Sequence, residues 1–261
     1  MEQSVLFEQQ GQVARITLNR PQVYNSFNRA MALLLQQYLD QCKEDVTIRA
    51  IYLTGAGKAF CAGQDLQEVA GDDAPTLNTI LSEHYNPIIT RLRTIEKPIV
   101  CAVNGVAAGA GANIALACDV VVAAESASFI QAFSKIGLIP DSGGTFTLPR
   151  LIGFQRASAL MMLGDKVSAS AAEVMGMIYK VLPEATFTTE SFEIAQTLSN
   201  MPTKGLGYTK RALNATWQHH FRKQPPPEAV LKTAAGVRPI IVKGCAPFWK
   251  NDRLYSKENR R

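Results

Sequence analysis

The sequence predicts an α/β protein with a buried, largely parallel sheet. Three apolar runs, Ile48–Thr54, Ile99–Val103 and Val120–Ala123, barely alternate with polar residues, as strands covered on both faces do not. Between them lie segments with helical spacing, which suits crossovers joining parallel strands. The chain has 261 residues, 47% hydrophobic and 19% charged, so it can bury one large core, or one domain plus an appendage, and disorder is excluded.

In chain order, Val5–Glu8 and Val13–Leu18 read as two strands of a hairpin around a Gly-containing turn. Asn28 can cap a helix whose apolar positions Met31, Leu34, Leu35, Tyr38, Leu39 and Cys42 follow a helical period. The strand Ile48–Thr54 ends in Gly55-Ala56-Gly57, and after a polar stretch residues 76–95 read as helical. Lys97-Pro98 introduces the strand Ile99–Val103. A Gly/Ala-rich turn then leads into Asn113–Ala117 and the strand Val120–Ala123. From Leu151 to Leu182 the pattern is helical, with Ala169–Met175 a helix and Gly176 its stop. Pro225-Pro226-Pro227 breaks any helix in the tail.

The net charge of +5 is unevenly placed. Residues 221–261 hold ten Lys/Arg and three Asp/Glu, or +7, leaving 17 and 19, or −2, for the rest. The basic character is thus a property of the tail, and a uniformly basic nucleic-acid-binding face is not indicated. Cys42, Cys61, Cys101, Cys118 and Cys245 are scattered and mostly within apolar runs, which reads as reduced core thiols in a cytoplasmic protein. Three histidines give a metal site or triad little material, and no apolar run is long enough to span a bilayer.

Two strand-to-turn junctions carry chemistry. In Lys58-Ala59-Phe60-Cys61-Ala62-Gly63-Gln64-Asp65-Leu66 the small residues let the backbone approach a ligand closely and point an N–H at it. In Asn104-Gly105-Val106-Ala107-Ala108-Gly109-Ala110-Gly111-Ala112-Asn113 a strand delivers a turn to a helix start, whose free N–H groups suit an anion or a developing oxyanion. The spacing matches neither a phosphate-binding Walker loop nor a dinucleotide fingerprint. Taken singly, each junction reads equally as a tight connection or as close helix-to-sheet packing.

Together, these junctions resemble the enoyl-CoA hydratase/isomerase (crotonase) family. The resemblance runs from Leu18-Asn19-Arg20-Pro21 through both junctions to Ile139-Pro140-Asp141-Ser142-Gly143-Gly144-Thr145 and Leu148-Pro149-Arg150, then to Gly164 and Gly176-Met177-Ile178. It implies an α/β fold, a spiral of ββα units over residues 1–200, followed by a helical trimerisation region over 201–261, here with an atypical basic tail. It implies a homotrimer or dimer of trimers, an acyl-CoA substrate, and no cofactor or metal beyond the substrate's own coenzyme A. The oxyanion hole for the thioester carbonyl would be the backbone N–H groups of Gln64 and Ala110. Ala62, Gln64, Asp65 and Leu66 would cradle the CoA, with Lys250 near its phosphates, and Gly109, Asn113, Phe133 and Leu138 would line the acyl pocket.

The resemblance also separates reaction types. The family's hydratases carry two glutamates, at the positions occupied here by Asn113 and Phe133, so a two-glutamate hydratase is disfavoured. Asp141 instead resembles the aspartate of dienoyl-CoA isomerases and of the isomerases of phenylacetate degradation that open ring-epoxide phenylacetyl-CoA. The string Phe133-Ser134-Lys135-Ile136-Gly137-Leu138-Ile139-Pro140-Asp141 is most similar to the phenylacetate branch. Asp141 would then shuttle a proton on a thioester enolate, its proton affinity raised by burial beside Phe133 and Leu138. The alternatives are a cap for the following turn, a hydratase using Asp141 alone, and a dehalogenase, which lacks an evident His because His84 lies in a separate polar segment. Beyond enzymes stand a non-catalytic acyl-CoA-binding module and, resting only on the tail, RNA binding.

Overall fold

The computed structural model describes residues 3–70 and 74–216. Lys250, Cys245 and the triple proline therefore lie outside the described residues. The chain divides into two compact units, 1–210 and 211–261. The first unit holds both sheets and every helix as far as Asn200.

The opening hairpin is β1 (Val5–Gln10) and β2 (Val13–Leu18), paired antiparallel with Val5 opposite Leu18. Helix α1 (Arg29–Glu44) starts where Asn28 accepts the Met31 N–H at 3.0 Å and buries Met31, Leu35, Leu39 and Cys42 on one face. Strand β3 (Ala50–Gly55) pairs parallel with β2, and β4 (Ala59–Cys61) follows it at once. The helical stretch after them is α2 (Leu77–Thr79), a π turn over Ile80–Tyr85 and α3 (Asn86–Thr94).

Next come β5 (Ile99–Val103), β6 (Val106–Ala108) and α4 (Ala110–Leu116), then β7 (Val120–Ala124) and β8 (Ser128–Ile130). A 3-10 turn over Ala132–Ile136 leads to α5 (Gly144–Ile152) and α6 (Phe154–Leu163). Strand β9 (Lys166–Ser168), α7 (Ala169–Val174) and β10 (Lys180–Leu182) precede α8 (Phe187–Asn200) and α9 (Thr203–Thr216).

From β3 to β8 successive strands alternate between two sheets. The larger has the order β1-β2-β3-β5-β7-β10, parallel apart from β1, and the smaller β4-β6-β8-β9. Each of β3, β5 and β7 turns directly into a short strand of the second sheet, and a helical segment then follows, which is the repeating ββα unit of the spiral. All five residues of β5 are buried, as its unbroken apolar run requires of a strand covered on both faces.

Two readings of the sequence need correction. The helical pattern over 151–182 is interrupted by β9 and β10, three-residue strands that bury only Val167 and Leu182 and so leave no period to detect. The helix read at Asn113–Ala117 starts at Ala110, directly after Gly109, because the preceding turn contains β6 rather than open loop. The predicted stop at Gly176 lies just past α7 and has φ +80°.

Candidate active site

The first junction is built around Phe27. Its N–H donates to the Gly63 carbonyl at 2.7 Å, and the Asp65 N–H donates to the Phe27 carbonyl at 2.8 Å. In a parallel bridge of this kind the N–H of the middle residue, Gln64, points away from the partner strand. Among the described residues that N–H has no hydrogen-bond partner. Gly63 has φ +95°, and a side chain there would lie 3.0 Å from the Ala108 carbonyl oxygen and 3.6 Å from the Ala110 nitrogen. Only glycine lets the two junctions come this close.

At the second junction, the Gly109 N–H donates to the Ile130 carbonyl at 2.9 Å. Gly109 then takes φ 54° and ψ −126° and presents the Ala110 N–H as the first of α4, also unpartnered among the described residues. A Cβ on Gly111 would collide with the Cys61 carbonyl oxygen, so α4 lies directly on β4. Two free backbone donors, Gln64 and Ala110, are thereby fixed side by side by backbone contact.

Asp141 arrives on a tight loop in which Ser142 has φ 50° and Gly143 φ 70°. Its carbonyl accepts from the Asn113 side-chain amide at 2.9 Å and from the Gly144 N–H at 2.8 Å. Among the described residues its carboxylate accepts only from the Ser142 hydroxyl, at 2.8 Å. The N-cap of α5 is Gly143 and, among the described residues, no side chain caps that helix, so Asp141 closes the turn with its carbonyl and not with its carboxylate. Burial pushes the Asp141 carboxyl above the usual carboxylate range, with the Ser142 hydroxyl acting in the opposite direction.

Asn113 is fully buried and its Oδ1 accepts from Gln131 Nε2 at 2.8 Å. A Cβ on Gly144 would collide with Asn113 Nδ2, so α5 is packed hard against this amide. Ala110 and Asn113 are one turn apart on α4, and that turn sets the spacing between a backbone donor and the Asp141 loop.

The structure therefore brings together Gln64, Ala110, Gly109, Asn113 and Phe133, whose ring lies 3.7 Å from where a Gly109 side chain would begin. Asn113 clamps the Asp141 loop instead of lining an open pocket, because both ends of its amide are engaged. The Asp65 side chain is engaged within the junction itself. Its buried carboxylate takes Arg20 Nη2 at 2.8 Å and the Gln67 N–H at 3.1 Å, while Arg20 Nη1 reaches the Ser26 carbonyl at 2.6 Å. Its side chain thus ties down the junction, and the Leu18–Pro21 turn matters because it delivers Arg20. Ala62 and Leu66 are exposed. Leu138 is 38% exposed.

Sequence reading missed the layer behind Gln64. Tyr85 Oη donates to Gln64 Oε1 at 2.8 Å, and Gln64 Nε2 donates to Glu68 Oε2 at 2.8 Å. His84 is not remote: its Nε2 lies 3.5 Å from Arg29 Nη1, and Glu68 Oε1 accepts the Arg29 N–H at 2.6 Å. Burial lowers the proton affinity of His84, leaving it a neutral wall residue on the Arg29 side. The four cysteines among the described residues are free and buried, and burial pushes the Cys42 and Cys61 thiols up to about 12. Among the described residues no helix is long and apolar enough to cross a membrane.

Against known proteins, the enoyl-CoA hydratase/isomerase family matches residues 8–237. The chain is 49% identical over 206 residues to the 1,2-epoxyphenylacetyl-CoA isomerase of Escherichia coli K12, covering 78% of this chain and 79% of that one. It is 40% identical over 236 residues to a probable enoyl-CoA hydratase of Rhodobacter capsulatus, covering 90% and 91%. Among solved structures, a putative enoyl-CoA hydratase/isomerase from Mycobacterium abscessus superposes with a TM-score of 0.87 at 33% identity, covering 95% and 97%.

Proposed function

The chain belongs to the enoyl-CoA hydratase/isomerase family, and from that premise we propose that it is an acyl-CoA isomerase in which Asp141 moves a proton on a thioester enolate. The observation that carries this reading is the half-buried Asp141 carboxylate, which caps no helix, on a loop clamped to the helix whose first N–H is a free donor among the described residues. The thioester carbonyl would accept from the Gln64 and Ala110 N–H groups. Two fixed donors stabilise the enolate oxygen, and losing one such donor costs ~3–4 kcal/mol in comparable sites. Asp141 would take the proton from the carbon next to the carbonyl and return it two carbons further along, converting a 3-enoyl into a 2-enoyl thioester. Its raised proton affinity suits a group that must both accept and release that proton.

For the acyl group we favour an aromatic ring epoxide. The name of the Escherichia coli relative supports it, as does the Phe133 ring beside Gly109. There the enolate's electron pair would form a C=C bond to the ring carbon and break that carbon's C–O bond, and the released oxygen would take up the proton that Asp141 had removed. A hydratase reading, in which Asp141 activates water, draws on the name of the Rhodobacter relative. Homotrimeric assembly is part of the proposal, supported by the exposed apolar residues Leu151, Phe154, Met162 and Leu163 on α5 and α6.

The test is an absorbance assay with a 3-enoyl-CoA, following the conjugated 2-enoyl thioester, alongside a ring-epoxide phenylacetyl-CoA. Asp141→Asn should lower turnover by ~10²–10⁴-fold, the usual worth of a positioned acid–base group. Undiminished turnover in that variant would overturn the mechanism, and hydration without double-bond migration would select the hydratase reading.

A further inference from the structure

The inference rests on the isomerase reading and extends it to the residues that aim the oxyanion donor. Gln64 contributes only its backbone N–H to the site, and its side chain is held at both ends. Tyr85 Oη donates to its Oε1 at 2.8 Å, and its Nε2 donates to Glu68 Oε2 at 2.8 Å. Glu68 is in turn fixed by the first N–H of α1, at Arg29, at 2.6 Å. A hydrogen-bonded chain therefore runs from the start of α1 through Glu68 and Gln64 to the Tyr85 hydroxyl.

Tyr85 is placed to act on this chain and little else. It closes the π turn, whose Asn86 N–H reaches back five residues to the Leu81 carbonyl. This wide turn leaves both His84 and Tyr85 on the inner side, and such turns recur at functional positions. Tyr85 is 1% exposed, and its ring meets Phe27 edge-on at 5.9 Å between centroids. Phe27 is the residue whose backbone brackets Gln64. The helix continuing from Tyr85 also flanks the Asp141 loop, with Ile89 Cγ2 3.5 Å from where a Gly143 side chain would begin.

We infer that Tyr85 is a positioning residue: its hydroxyl, through the Gln64 side chain, aims the Gln64 N–H at the thioester oxygen. Burial holds the phenol well above its ordinary value, and the neighbouring Cys61, Asp141 and Glu68 act in the same direction. Tyr85 therefore stays protonated and remains a hydrogen-bond donor to Gln64 across the working pH range. A fixed donor matters because a displacement of about 1 Å in a reacting geometry can cost on the order of 10²-fold.

The test uses Tyr85→Phe, which keeps the ring against Phe27 and removes only the hydroxyl, with Gln64→Met and the double variant. Two readouts are taken on the full chain. One is the carbonyl stretch of bound phenylacetyl-CoA labelled with carbon-13 at the thioester, which reports polarisation by the donors without requiring turnover. The other is kcat against KM in the 3-enoyl-CoA assay. Tyr85→Phe should weaken the downward shift of the carbonyl stretch and lower kcat about tenfold with KM within about twofold, as for an interaction realised in the transition state. Gln64→Met should match it, and the double variant should be no worse than either single, because both break one chain. A wild-type carbonyl shift in Tyr85→Phe, or effects that add in the double variant, would overturn the inference. An inactive wild type that still polarises the bound carbonyl would strike the isomerase reading alone.

Discussion

Around Gln64 and Ala110 the backbone is held by close contact, with side-chain bonds behind Gln64 refining it, whereas around Asp141 it is held chiefly by one side chain. At the junctions there is no room for a single added carbon on Gly111, which rests against the Cys61 carbonyl. The Asp141 loop begins with Gly137, where an added carbon would meet nothing within 4 Å, and passes through Ile139, which is 82% exposed. Its anchor is the Asn113 amide, backed by Gln131. The difference matches the two chemical tasks proposed for the site. Oxyanion donors work best when they need no reorganisation as charge develops, so steric contact with the sheet is the right restraint. A carboxylate that takes a proton from one carbon and returns it to another must reach both, which a side chain restrained, among the described residues, by the Ser142 hydroxyl alone can do.

The most direct way to break this contrast is to add the same carbon on each side of it. Gly111→Ala should push α4 off β4 and part the two donors, with activity falling at least ~10²-fold, the scale for loss of one aligned donor, or with loss of soluble protein. Gly137→Ala meets open space, so it should cost only the left-handed backbone strain of ~1–2 kcal/mol while leaving kcat near wild type. Urea denaturation and the 3-enoyl-CoA assay on both proteins read this out. Equal damage at the two positions would mean that the loop is as tightly determined as the junctions.

A smaller effect is expected at the clamp. Asn113→Ala removes the donor to the Asp141 carbonyl and leaves Gln131 Nε2 without its acceptor, in a place where Gln131 Oε1 already lacks a partner among the described residues. Leaving a buried donor unpaired costs ~1–3 kcal/mol, visible as a lower urea midpoint at unchanged slope. Turnover should fall about tenfold through misplacement of Asp141, while the carbonyl stretch of bound phenylacetyl-CoA stays at its wild-type position. A changed carbonyl stretch would show that Asn113 serves the donors as much as the loop.

Much of this arrangement could be read from the chain, and the parts that could not have physical reasons. Strands β3, β5 and β7 were legible because parallel strands covered on both faces are unbroken apolar runs. The strands β4, β6 and β8 were not, because three residues cannot display a period. Small residues marked both junctions, since close backbone approach demands them. The contacts that fix the site escaped, because they join residues far apart in sequence. Tyr85 lies 21 positions from Gln64, Arg20 45 from Asp65, and Gln131 18 from Asn113. Nothing in the run Ile80–Tyr85 announces a π turn, so the inward placement of His84 and Tyr85 had no local signal.

The subtlest expected effect concerns what Asp141 costs the fold. Its carboxyl is held above the usual carboxylate range, chiefly by burial, so the folded state holds the proton more tightly than the unfolded chain does. The resulting stability is fully present below the ordinary carboxylate range and is lost as pH rises through the raised value. At neutral pH the wild type therefore carries a partly buried charge that it would be more stable without, whereas Asn at that position carries none and can still accept from the Ser142 hydroxyl. Asp141→Asn should accordingly melt above wild type at neutral pH, and the gap should close as pH falls below the ordinary carboxylate range. Thermal melts of both proteins across that window decide it. A gap that is absent at neutral pH, or independent of pH, would mean that the site solvates the carboxylate well. A gap that closes on acidification, in a variant that has lost turnover, would mark Asp141 as a residue that serves the chemistry at the expense of the fold.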